Sequence, residues 1–574
     1  MSRMFRGLSS AVVVALVASA CRSDSGVTPS ATLSLGESRG ASGPQTLTLD
    51  GGSTGADYYA VLVNTSQTSG ASESYSLNAN GVVAPTTSFG SLGQAMLDRS
   101  GIGDAASAAG PERDRAFEAR LRARERTLVP RFPGARAWRA ARSAPSATTG
   151  ASASRSFDPT RRDGALPAGV QVGDIVSVNV NGNDACTNPI YHPARVVAIG
   201  THGIVLNDTL NPSGGFTTAD FQRYAARFDT LVYPIDSAAF GPPTDIDGNG
   251  HVGLIFTRAV NELTPANADS YVGGFTFSRD LFPAKATTDL GACAASNQGE
   301  FFYLITPDPA GTINGNRRTA GFVDTNTTAV IAHEFQHLIN GGRRIYVNGA
   351  SDFEATWLDE GLAHIAEELL FYREAGLGPK QNLDTPLLRA STQRRTAFNL
   401  DMLGNAGRYQ SYLKAPSKSS PYAANDSLST RGAAWSLLRY LADRSGRTDN
   451  AFFFALVNST AKGIPNLKTV YGADLPGAVR DWNASHAVDD IVSAAAELQQ
   501  PSWNWHSIYV TLSGAYPLTL AALANGGTAS GTIVAGGAAY YRLGVPAGGS
   551  ATLSLSDPSP TTAANLQLVV VRTR

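Results

Sequence analysis

The sequence predicts an α+β protein. A central unit with a β-rich first half and a helical second half is flanked by small β-sandwich-like domains. Three observations predict this. Residues 30–90 and 503–574 consist of short alternating runs broken by glycine, serine and asparagine, the pattern of strands joined by tight turns. Residues 169–305 are again strand-like, with runs such as VGDIVSVNVNG and ARVVAIGTHGIVLND. Beyond residue 327 apolar residues recur at helical spacing through several long segments, which marks a change of period from two to 3.6.

The first 20 residues read as a signal peptide. Arg3 and Arg6 make a positive start, residues 11–17 an apolar core, and Ala18-Ser19-Ala20 a small-residue cleavage segment. The apolar run is too short to span a membrane. Cys21 follows directly, as the lipidated cysteine of a bacterial lipoprotein does; plain secretion is the alternative. Either way the protein is exported, to the cell envelope or beyond, with membrane contact only through a lipid at Cys21. The chain has three cysteines. With Cys21 lipidated, Cys186 and Cys293 are left to form a disulfide in an oxidising compartment.

Residues 21–92 then form an N-terminal β domain, with strands at 46–49, 58–63 and 75–77. Its GADYYAVLVNTS is echoed by GGAAYYRLGVPAG near the C-terminus. Residues 93–156 combine an arginine-rich helix, PERDRAFEARLRARER, with the flexible linker SAPSATTGASASRS. The helix reads as a solvated connector, with a pro-segment or an anionic-surface contact as the functional alternatives. Residues 157–320 are the β-rich half of the central unit and residues 321–500 its helical half. Residues 503–574 form a C-terminal β domain.

Within the helical half, residues 333–337 read HEFQH. Positions i and i+4 share a helix face, so His333 and His337 can present two imidazoles to one metal ion. Glu334 is placed to act on a water at that ion without occupying a coordination position. Thr327-Thr328 is the expected N-cap, and Gly341-Gly342 the expected stop. Downstream, WLDEGLAH opens a second amphipathic helix over residues 354–373. Four carboxylates there could complete a metal site: Glu354, Asp359, Glu360 and Glu367. Glu360, His364 and Glu367 make a polar stripe at i, i+4 and i+7. Gly361 suggests close backbone approach beside Glu360, so phase selects Glu360 as third ligand. His364 is a partner of the site, an oxyanion donor or a buried histidine without such a role. Two nitrogens and one oxygen favour Zn2+ by geometry and availability.

HEFQHLIN followed by WLDEGLAHIAEE resembles the hyicolysin-type zinc metallopeptidases of bacteria, over roughly residues 165–500. More distantly it is similar to the gluzincins, including thermolysin-like and aminopeptidase N-like enzymes. That resemblance implies a gluzincin-type metallopeptidase unit, with His333, His337 and Glu360 as zinc ligands and Glu334 as general base. WLDEGLA differs from the aminopeptidase WLNEGFA at Asp359 and Leu362. Two departures separate the chain from the aminopeptidases. It lacks the GxMEN amine anchor, and Ser429 stands where YEKG carries the oxyanion-stabilising tyrosine. Exopeptidase specificity therefore does not transfer, and Tyr409, Tyr412, Tyr422 and His364 are the oxyanion candidates. In gluzincins the strand flanking the metal helix pairs with extended substrate; residues 301–305 are the candidate for it here.

A weaker signal is TDIDGNGHVG. Asp245, Asp247, Asn249 and the His251 carbonyl match the first half of an EF-hand loop, but Phe256 stands where a bidentate glutamate belongs. It reads equally as a truncated Ca2+ loop or a plain Asx/Gly turn. The formal net charge of −1 argues against a nucleic-acid partner. The expected partner is a protein or peptide substrate, hydrolysed with Glu334 as base. The rival reading is a cell-surface lipoprotein that binds glycan or protein through its β domains and carries an inactive peptidase-like unit. A gluzincin cleaving a small amide or epoxide ranks third.

Overall fold

The computed structural model of the chain describes residues 32–86, 111–128, 166–268, 271–285, 292–556 and 565–574. The leader, Cys21 and the serine-rich linker lie outside the described residues. Four N-terminal strands form where alternation is clearest: β1 (Ser38–Ser42), β2 (Gln45–Asp50), β3 (Ala56–Asn64) and β4 (Ser72–Asn80). β3, ADYYAVLVN, is buried at every position. That burial requires packing on both faces, more than a small separate domain supplies.

The arginine-rich segment forms helix α1 (Pro111–Glu125). It is not a solvated connector, because Phe117, Leu121, Arg122 and Glu125 are all buried. The central sheet follows: β5 (Ile175–Asn179), β6 (Tyr191–Ile199) and β7 (Gly203–Asp208), then helices α2 (Thr218–Arg227) and α3 (Tyr233–Phe240). β8 (Val252–Phe256), β9 (Gly274–Thr276) and β10 (Phe301–Leu304) complete it in the order β5-β6-β7-β8-β10-β9. Here the structure corrects the sequence reading. β10, the expected substrate strand, lies between β8 and β9 with both edges occupied. The outer strand on this side is β9, only three residues long, and β5 forms the opposite edge. A disulfide joins Cys186 and Cys293 and closes a loop of 107 residues.

The helical half begins with α4 (Ala320–Gly342). Its N-cap is Thr319, whose side chain accepts from the Phe322 amide, and not Thr327-Thr328. Thr327 lies inside the helix and donates its hydroxyl to the Val323 carbonyl. Nor does Gly341-Gly342 stop the chain. A π-helical turn over Arg343–Asn348 carries it on to Gly349 at φ 72°, because Arg344, Ile345 and Tyr346 are drawn into the core. α5 (Thr356–Ala375) packs on α4, α7 (Leu428–Arg444) packs on α5, and α6 (Leu403–Leu413) and α8 (Leu475–Val488) pack on α7. Phe335 and Ile339 of α4, Leu358 and Leu362 of α5 and Leu438 of α7 share one core. Gly361 permits the α5–α7 approach: a Cβ there would stand 2.8 Å from Leu438 Cδ1.

The C-terminal strands are β11 (Ala521–Ala522), β12 (Gly527–Val534), β13 (Ala538–Val545), β14 (Ser550–Ser556) and β15 (Leu566–Arg572). They do not form a second β domain. One sheet runs β1-β15-β3-β13-β11 and the other β12-β4-β14-β2, so both chain ends interleave in a single sandwich. The two echoing segments are antiparallel neighbours, with Tyr58 opposite Leu543 and Ala60 opposite Tyr541. Tyr58, Ala60 and Leu62 of β3 face the second sheet. Tyr59, Val61 and Val63 join the core of the helical unit. This two-sided role explains the complete burial of β3. Among the described residues no helix is long and apolar enough to cross a membrane.

Candidate metal centre

Helical spacing places His333 and His337 on the same inward face of α4, and α5 brings Glu360 against them. His333 Nε2 lies 3.2 Å from His337 Nε2. Glu360 Oε2 is 3.6 Å from the first nitrogen, and Glu360 Oε1 is 3.6 Å from the second. All three side chains are buried. Ligands about 2.0–2.1 Å from a tetrahedral ion stand roughly 3.3 Å apart, so this N/N/O triangle fits zinc.

Each histidine turns its other nitrogen to a carboxylate. His333 Nδ1 is 2.8 Å from Glu367 Oε1, and His337 Nδ1 is 2.9 Å from Asp359 Oδ2. Such partners fix the ring orientation and the tautomer that leaves Nε2 free for a metal. Asn340 in turn donates to Asp359 Oδ1 at 2.6 Å. Glu367 and Asp359, weighed from sequence as third ligands, thus stand behind the histidines. Glu354, the fourth candidate, is taken by Arg344 at 3.0 Å and by the Gly463 amide at 2.7 Å. His364 lies beside the site, with Nδ1 3.2 Å from Glu367 Oε1 and its ring tilted against that of His333 at 4.9 Å between centroids. Burial and the nearby Arg408 hold its pKa down to about 3, so it stays neutral.

Glu334 points to the free edge of the sheet, where its carboxylate accepts from the Thr276 amide of β9 at 2.7 Å. Two arginines flank the acidic groups. Arg431 Nη1 is 3.0 Å from Glu360 Oε2, and its Nε and Nη2 grip Asp426 at 2.9 and 2.8 Å. Arg122 of α1 stands 3.8 Å from Glu360 and 3.9 Å from Glu334. Burial works to raise the Glu360 pKa, but Arg431, His337 and His333 outweigh it and keep the carboxyl well below its usual range. Burial lowers His333, yet Glu360 and Glu367 more than reverse this and bring it to about 10 without a metal. Sequence reasoning missed both arginines. The only local sign of Arg431 was its place in the STRG segment, and Arg122 is one of many arginines in α1.

The three tyrosines considered as oxyanion donors are buried with their hydroxyls engaged elsewhere. Tyr412 donates to Asn483 Oδ1 at 2.9 Å, Tyr422 donates to the Ser66 carbonyl at 2.6 Å, and Tyr409 accepts from Gln500. In the possible calcium loop, Asp245 and Asp247 come together with Glu300, a residue distant in sequence that the loop pattern did not reveal. Asn249 Oδ1 accepts from the His251 amide at 2.6 Å, which is the local Asx turn.

No protein-family model matches the chain. Over 153 residues it is 28% identical to the neutral metalloprotease ShpI of Staphylococcus hyicus, a stretch covering 27% of this chain and 31% of that protein. The chain therefore spans less than a third of this relative's length. Weak and partial as it is, that identity relates the protein to a metalloprotease, and its buried His/Glu cluster is compatible with a metal ion such as zinc.

Proposed function

We propose that the protein is an exported zinc metalloendopeptidase of gluzincin type. The observation that carries this reading is the convergence of His333, His337 and Glu360 on one point, with Glu334 beside them at a free sheet edge. His333, His337 and Glu360 would hold the ion. Zinc, when bound, lowers the pKa of a water toward 7 and polarises a carbonyl. Glu334 then takes the water's proton and returns it to the departing amine. Thr276 orients Glu334 for this through its backbone N–H. An extended peptide would lie along β9, the edge that β10 leaves free, and accept backbone hydrogen bonds from it. Arg431, pinned by Asp426, orients Glu360.

Export with lipidation at Cys21 belongs to the same proposal, and so does calcium at the loop of Asp245, Asp247, Asn249 and the His251 carbonyl, where Glu300 joins the two aspartates. The rival reading, a binding module with an inactive site, gains nothing from a centre in which all four side chains are assembled. The test is cleavage of quenched peptide libraries by the chelated and the zinc-reloaded protein. Loss on chelation and recovery with zinc are expected. Cleavage that persists without metal would overturn the proposal.

A further inference from the structure

α1 lies across the proposed centre. Phe117 packs edge-on against Phe275 of β9, with ring centroids 5.3 Å apart. Five residues on, Arg122 reaches between Glu334 and Glu360 at 3.9 and 3.8 Å, buried to 4% exposure. Glu125 steadies Arg122 at 2.8 Å, and its other oxygen accepts from the Ser278 amide at 2.6 Å. Arg126 donates to Thr356 Oγ1, at the first turn of α5, at 2.7 Å.

The Ser278 contact is the informative one. β9 pairs with β10 on one side only, and alternate backbone N–H groups along a strand point the same way. Thr276 ends β9 and its amide turns outward to Glu334; the extended Phe277 carries the edge on to Ser278, the first residue of a 3-10 turn, whose amide turns to Glu125. An extended chain docking on this edge would need such donors. α1 thus takes one of them with a carboxylate and places a guanidinium against the base. Phe117 and Leu121, with Leu128 in the turn just beyond its end, anchor α1 in the two cores beside the cleft.

We propose that α1 is a built-in occupant of the substrate cleft, a latch that Arg122 and Glu125 hold over Glu334 and the β9 edge until it is displaced. The inference rests on the reading of the site as a peptidase centre. It assigns the cleft between β9 and the start of α5 as the surface an extended peptide occupies. Arg122 and Glu125 are latch residues, with no part in the chemistry.

The test uses the zinc-loaded full chain and a peptidyl hydroxamate as probe. Amide hydrogen exchange over residues 111–125 should accelerate at least tenfold when the probe saturates the protein, while α4 and α5 keep their protection. Unchanged exchange in α1 would overturn the latch. Separately, Arg122→Ala combined with Glu125→Ala should tighten probe binding at least tenfold by calorimetry and raise peptide cleavage in step. Equal affinity in variant and wild type, including none in either, also overturns it. Tighter probe binding with no peptide cleaved by either protein would leave the latch standing and refute the peptidase reading.

Discussion

His333 and His337 are oriented from behind, and this sets the first prediction. Glu367→Ala removes the hydrogen-bond partner of His333 Nδ1 at 2.8 Å, and Asp359→Ala the carboxylate 2.9 Å from His337 Nδ1. Each should weaken zinc binding about 10- to 100-fold, measured by competition with a chromogenic chelator. Equal affinity in wild type and variants would mean that these carboxylates do not tune the ligands. At this scale much of the candidate site is legible in sequence. Helical spacing is local, so HEFQH places two imidazoles on one face, and the stripe of Glu360, His364 and Glu367 points inward as a unit. Local spacing cannot show which carboxylate meets which nitrogen, because that depends on how α5 lies against α4. It is silent on Arg122 and Arg431 for the same reason, since both arrive from segments remote in sequence.

Among the elements, the α6–α7 contact makes the sharpest demand. A Cβ at Gly432 would run into the backbone of Arg408 and Tyr409, groups that cannot swing aside as a side-chain tip can. Gly432→Ala should cost about 2–3 kcal/mol, read as a lowered urea midpoint with an unchanged slope. Gly361→Ala should cost less, since its closest neighbour at 2.8 Å is a leucine methyl. Helix periodicity revealed that α4, α5 and α7 exist, and the break beside Glu360 marked the close approach. Helix ends were harder to read, because Thr319 caps α4 about two turns before the expected cap at Thr327-Thr328. Sheet order was not readable at all. β10 has the apolar text of a strand, but only the crossover from β8 and the return of β9 decide which edge stays free.

For the molecule as a whole, the sandwich and the helical unit share one core through β3, β13 and α8. His486 of α8 sits at that junction, with Nδ1 3.0 Å from the hydroxyl of Tyr540 on β13. Burial, helped by His506, lowers its pKa to about 3. In the unfolded chain it titrates near 6.5. The unfolded state therefore takes up the proton first as pH falls. Stability from this group is complete above about pH 6.5 and is lost progressively towards pH 3. His486→Gln should flatten the fall of Tm between pH 6.5 and 4; an unchanged slope would remove His486 from the acid response. The sequence displayed strands at both ends, but their union was hidden. Alternation shows which residues turn inward, and not that residues some 500 positions apart form one sheet.

The most direct measurement is cleavage of a quenched peptide by wild type and Glu334→Gln at matched zinc content, each also in the Arg122→Ala/Glu125→Ala background. Loss of the base should lower kcat by about 10²- to 10⁴-fold with zinc still bound. Equal cleavage by the Glu334→Gln protein at the same zinc occupancy would contradict the mechanism.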